Sequence, residues 1–160
     1  MKKILYTVMA LMCFVCCDKP SPTPGPEPGP SVQPEKTLAE AIIGEWHYTD
    51  VTLGADIYLG LSEDCKFELY QKIGDGAYHL YKGSWHIDDE SAVLSGKYND
   101  GQAWGSEYDV AISGDGKTLT LSPKASGAEE KHTYKREEIP ASVRENCVTV
   151  VKSEDYSPVF

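Results

Sequence analysis

From residue 45 onward, apolar and polar residues alternate in short runs, the period-2 signature of half-buried strands. In "DIYLGL" (56–61), Ile57, Leu59 and Leu61 share one face. In "CKFELYQK" (65–72), Cys65, Phe67 and Leu69 oppose Lys66, Glu68, Tyr70 and Lys72. "WGSEYDVAIS" (104–113) sets Trp104, Tyr108, Val110 and Ile112 against Glu107 and Asp109. With the runs 45–53, 78–87, 92–98, 118–122 and 131–138, these make eight candidate strands. Turn sequences such as "GDG" (74–76), "NDG" (99–101) and "GDGK" (114–117) separate several of them. Ahead of the strands, "KTLAEAIIG" has Thr37 as N-cap, Glu40 at the capping-box position and Gly44 as a stop, which predicts one short helix.

Eight sequential antiparallel strands with one apolar face each can close on themselves and remove both edges. The expected fold over residues 37–140 is therefore all-β, an eight-stranded antiparallel up-and-down barrel behind a short N-terminal helix. A β-sandwich is the competing architecture, and the near absence of long crossovers favours the meander. An eight-stranded interior is just wide enough for packed side chains or one small ligand. Residues 141–160 are expected to pack on the barrel, with a helical turn through Arg144. "VTVVK" reads either as an added strand or as a clamp.

The N-terminus has a different character. Residues 1–17, "MKKILYTVMALMCFVCC", place two lysines before an apolar run, the layout of a secretory signal. The run Ile4–Phe14 is too short to span a bilayer, which takes roughly 20 residues. Its exit resembles a bacterial lipobox, with Cys17 as the residue to be lipidated and the small Cys16 before it; ordinary secretion with cleavage nearby is the alternative. Residues 18–36 read as a disordered tether, since 20–34 hold seven prolines and two glycines and extend at about 3.1 Å per residue. Loss of Lys2 and Lys3 takes the formal charge from −10 to −12. Such a surface repels nucleic-acid phosphates, so no nucleic-acid partner is expected.

The Gly44-x-Trp46 opening of the first strand, the eight-strand meander and Arg136 on the last strand resemble the lipocalin or calycin pattern. "YLGLSEDCKFELYQ", "YKGSWHID", "LSGKYNDGQAW" and "YKREEIP" are similar to lipocalin-like lipoproteins of Bacteroidetes, over about residues 37 to 140. The resemblance implies that Trp46 closes the barrel floor and that Arg136 stacks across it, a favourable cation–π arrangement. It also implies a lipid-anchored outer-membrane protein, with Asp18 after the anchor Cys going with export to the cell surface. In enterobacteria the same Asp argues for retention at the inner membrane. Cys65 stands where that family often has Gly, a departure that bears on the first hairpin, since Gly supplies positive φ at little cost.

The candidate chemistry is sparse. His47 and His86 each follow a tryptophan and fall on the face opposite it, toward solvent, and no His-x-His or Cys-x-x-Cys spacing exists. No metal or cofactor is expected, and no nucleophile sits in a catalytic setting. Cys65 and Cys147 read equally as a disulfide tying the tail to the barrel, worth about 4 kcal/mol in the chain-entropy model, or as free thiols, Cys65 buried beside Phe67. Ten tyrosines are the more suggestive feature. Tyr98, Tyr108 and Tyr134, with Trp104, fall on apolar faces, where they either line an amphipathic cavity or fill the barrel.

The functional expectation is a non-catalytic, lipid-anchored envelope lipoprotein whose barrel binds a small apolar or amphipathic ligand. The alternative is an accessory β-sandwich module that binds glycan or protein through an exposed patch of Tyr58, Tyr70 and Tyr81.

Overall fold

The computed structural model describes residues 36–124, 131–153 and 158; Cys17 and the tether up to residue 35 lie outside these. Helix α1 (Leu38–Ile42) starts under Thr37. The Thr37 hydroxyl accepts from the Glu40 amide at 3.2 Å and the Glu40 carboxylate accepts from the Thr37 amide at 3.0 Å, a complete capping box. A helix of five residues is held by packing rather than propensity, and Ile42 is fully buried.

Eight strands follow: β1 (Gly44–Asp50), β2 (Ala55–Leu61), β3 (Lys66–Ile73), β4 (Tyr78–Asp88), β5 (Val93–Tyr98), β6 (Tyr108–Ile112), β7 (Thr118–Pro123) and β8 (His132–Arg136). Each pairs antiparallel with the next, and β1 pairs with β8, so the ring closes. This is the closed eight-stranded antiparallel barrel that the alternation predicts, with its short helix. A chain in which no strand of the ring is left unpaired on one side has little edge to aggregate.

The interior is the core. Leu59, Leu69, Leu94, Leu119 and Leu121 are fully buried, and Phe67, Tyr81 and Trp85 lie among them. Burial of each such side chain contributes about 1.5–3 kcal/mol. Gly83, in the second Gly-x-Trp-His segment, makes room for this packing. A Cβ there would meet the carbonyl of Lys97 and lie 2.6 Å from Cε1 of Phe67.

A second apolar cluster lies outside the barrel. On the outer wall Tyr58, Tyr70 and Leu80 are covered by Ile139, Val143 of helix α2 (Ala141–Glu145) and the partly buried Cys147. Arg144 fastens α2 through Glu45 at 2.6 Å and Glu68 at 3.2 Å. Strand β9 (Cys147–Thr149) then pairs in parallel with Tyr78–Leu80. It occupies the stretch of β4 that precedes the pairing with β5, which begins at Gly83. The tail is thus both an added strand and a clamp.

Several local expectations are corrected. The first strand ends at Asp50 rather than 53, because the Asp50 carboxylate accepts from the amides of Thr52 and Leu53 and closes a turn. β6 begins at Tyr108, not 104. Trp104 instead donates its amide to the carbonyl of Gly96, and its indole lies against the space a Cβ of Gly96 would take. Cys65 is not a buried strand residue: it is exposed, at φ 58°, in the turn after Ser62.

A Cys65–Cys147 disulfide is likewise ruled out. Both thiols are free. Cys65 accepts from the amide of Trp85, whereas Cys147 stands opposite Tyr78. Seven residues along one strand separate these neighbours by about 23 Å, and a disulfide needs Cα atoms within about 7 Å.

Candidate functional site

At the helix end, Trp46 is fully buried and donates its indole N–H to the Ile42 carbonyl at 2.8 Å. The Arg136 guanidinium carbon lies 4.1 Å from the centroid of the Trp46 ring. Its Nε donates to Gly116 O at 2.7 Å, and Nη1 and Nη2 donate to Ile43 O and Ala41 O at 2.9 Å. One side chain thereby satisfies carbonyls at the end of α1 and in the β6–β7 turn. Gly44 has φ 139°, and a Cβ on it would collide with Nη1 of Arg136. The structure thus brings Gly44, Trp46 and Arg136 into one plug.

Beyond this plug the inner face mixes aliphatic side chains with aromatic and polar ones. Tyr81, Tyr98, Trp104, Tyr108 and Tyr134 belong to the interior cluster, and Tyr48 packs against it. The rings touch in sequence: Phe67 and Trp104 at 5.2 Å, Trp104 and Tyr108 at 6.1 Å, Phe67 and Tyr98 at 5.7 Å, Tyr81 and Tyr98 at 5.9 Å. Period-2 alternation places three further polar residues on the same inner face. Gln71, two residues beyond Leu69, is 3 % exposed; His79 precedes Tyr81, and His132 precedes Tyr134, by two positions. The signal for Gln71, His79 and His132 was present in the sequence as shared parity with Leu69, Tyr81 and Tyr134. It was hidden because polar residues in a strand read as outward-facing.

Electrostatics suit hydrogen bonding there. Burial, with smaller contributions from neighbouring phenols, pushes the Tyr98 and Tyr134 hydroxyls well above the usual tyrosine value, so both stay protonated. Tyr81 and Tyr98 border a crevice of about 50 Å³ between Asn99, Asp100 and the segment Thr149–Val151. That is room for water. Of the residues expected to line a cavity, Trp104, Tyr98, Tyr108 and Tyr134 do lie inside, each 6 % exposed or less.

The outer wall departs from the sequence reading. Tyr58, Tyr70 and Tyr81 form no exposed patch: Tyr58 and Tyr70 are under the tail and Tyr81 is in the barrel. The burial of Tyr70, followed by its hydrogen bond to Glu68, raises its hydroxyl to about 12. His86 is on the outer face and exposed. His47, also outward, is not free in solvent but clasped, with Nε2 2.7 Å from Asp56, Nδ1 3.0 Å from Glu137, and its ring stacked 4.1 Å from Tyr58. Asp56 also accepts from Tyr78 at 2.6 Å and faces Lys72 at 3.6 Å. Among the described residues, no group of three or more His, Cys, Asp or Glu could hold a metal ion.

No protein-family model matches the chain, and no curated protein matches it. Solved structures do. One is an NMR structure of a protein from Bacteroides uniformis ATCC 8492, at a TM-score of 0.50 and 9 % identity, covering 63 % of this chain and 93 % of that one. At that identity the similarity is one of fold. The chain shares an antiparallel barrel architecture with a protein of a Bacteroides species.

Proposed function

We propose that this chain is a non-catalytic, lipid-anchored envelope lipoprotein of lipocalin-like type, which binds a small amphipathic molecule inside the barrel at the end remote from α1. The supporting observation is the composition of the inward face beyond the plug of Trp46 and Arg136. There Tyr48, Tyr81, Tyr98, Tyr108, Tyr134 and the buried Gln71 lie among aliphatic side chains. Phenols offer an apolar ring and a polar tip, the composition of a site for a molecule with both characters. Tyrosines held in the protonated form present O–H donors at neutral pH, as a hydrogen-bonding site requires. Since the rings pack closely, a ligand enters by displacing side chains at that end.

Native mass spectrometry of the protein purified from its own host tests the reading. A stoichiometric small molecule that dissociates on unfolding is expected. Protein that is uniformly unliganded, and that takes up no amphipathic probe in solution, would remove the ligand reading. An accessory role at the cell surface would then be the better account. The observation favouring it is a groove of about 520 Å³ beside β4 and β5, lined by Trp85, Trp104, Ser84, His86, Ser95 and Lys97.

A further inference from the structure

Tyr134 occupies the position on β8 between His132 and Arg136, directly across from Leu119 of β7. It is fully buried, and its ring lies 5.3 Å from that of Tyr48. Its hydroxyl has no hydrogen-bond partner among the described residues. Phenylalanine would fill the same volume with no polar atom to desolvate, so the hydroxyl is a cost that the fold itself does not recover. On β8 it lies one inward position from Arg136, beside the plug, where the buried tip of a ligand entering from the far end would come to rest.

We propose that Tyr134 is the residue that recognises the ligand's head, donating its O–H to an uncharged acceptor oxygen, a ketone, ester or amide carbonyl carried on an apolar body. This rests on the ligand-binding reading above. The apolar body has the rings of Tyr48 and Tyr108 to pack against. An uncharged acceptor is specified because a carboxylate buried at this depth needs a compensating cation. The cation on the same inner face of β8, Arg136, is already engaged by three carbonyls and the Trp46 ring.

The test uses two probes of matched shape, acetophenone, which has a carbonyl, and α-methylstyrene, which has a methylene in its place. Each is titrated into the wild-type domain and Tyr134→Phe, followed by amide chemical shifts in two-dimensional NMR. Wild type is expected to bind acetophenone roughly tenfold more tightly than α-methylstyrene, the discrimination of one good hydrogen bond. Tyr134→Phe is expected to erase that preference by weakening acetophenone alone, with a thermal midpoint equal to or above that of wild type. Equal binding of both probes by both proteins would leave the ligand reading in place and overturn the role of Tyr134. A clear fall in the thermal midpoint of Tyr134→Phe would overturn it too, since the hydroxyl would then have a structural partner. Binding of neither probe would overturn the proposal together with the reading it rests on.

Discussion

Arg136 lies flat over Trp46, its guanidinium carbon 4.1 Å from the ring centroid, and spends its N–H groups on the carbonyls of Gly116, Ile43 and Ala41. A planar fork can stack and hydrogen-bond at once; a lysine ammonium cannot. Arg136→Lys is therefore expected to lower stability by roughly 1–3 kcal/mol, read as a lower urea midpoint with unchanged slope. Gly44→Ala should act in the same direction, because its Cβ would collide with Nη1 of Arg136. A lysine variant as stable as wild type would show that charge alone closes this end.

Cys65 holds φ 58° in the β2–β3 turn, a left-handed conformation that costs a side-chain-bearing residue about 1 kcal/mol. Cys65→Gly is expected to raise stability by up to about that amount, less the entropy glycine gains in the unfolded chain. The thermal midpoint of wild type should also be the same with and without dithiothreitol, because both cysteines are free. A midpoint that drops on reduction would contradict the topology that keeps Cys65 and Cys147 apart.

Gly83 is a packing requirement rather than a hinge. A methyl group there would meet the Lys97 carbonyl and crowd Phe67. Gly83→Ala should cost roughly 1–3 kcal/mol and broaden the amide signals of β4 and β5. A silent substitution would mean that the two strands separate more easily than their register of Gly83 opposite Tyr98 implies.

The tail clamp should weaken in acid. Burial alone would raise the Glu68 carboxyl, but hydrogen bonds from Lys82 and Tyr70, with the charges of Lys82 and Arg144, bring it below 4.5. Because the folded value is the lower one, the unfolded chain takes the proton first. The contribution of Glu68 is complete above pH 4.5 and is lost as pH falls below it, through the folded value. In urea unfolding at stepped pH, Glu68→Gln should show a shallower decline than wild type below that point. Parallel declines would remove Glu68 from the clamp.

The proposed lipid anchor is carried by Cys17. With Cys17→Ala, the protein should move from the membrane fraction to the soluble fraction of the envelope, and intact-mass measurement should show no acyl chains. Unchanged membrane retention would refute the lipid anchor. The mass also separates lipidation from simple cleavage near Cys16.

Strand identity was legible because it is local. In β2, Ile57, Leu59 and Leu61 declare one face whatever lies across from them, and eight such runs joined by short turns leave few ways to bury them. Thr37 and Glu40 likewise cap a helix using residues three apart. The interior positions of Tyr108 and Tyr134 followed from the same parity, whereas Trp104 reaches the interior from outside the strand. Turn geometry at Asp50 and Cys65 and contacts made by distant segments were not legible. Tyr70 sits among polar residues in sequence, and only the arrival of Ile139 and Val143 makes its outward side a buried one.

The sequence by itself determined the number of barrel strands, most of their inward faces and the order in which they pair, since a period of two and a hairpin turn are properties of a few neighbouring residues. The tertiary structure decided where each face finds its partner. Closure of the ring set Arg136 over Trp46, and the returning tail converted an outer wall into a second core. The spacing along β4 kept Cys65 and Cys147 apart, and the meeting of eight inner faces brought tyrosines of separate strands into contact. Contact across the barrel depends on chain separation in space, which hydrophobic period does not encode.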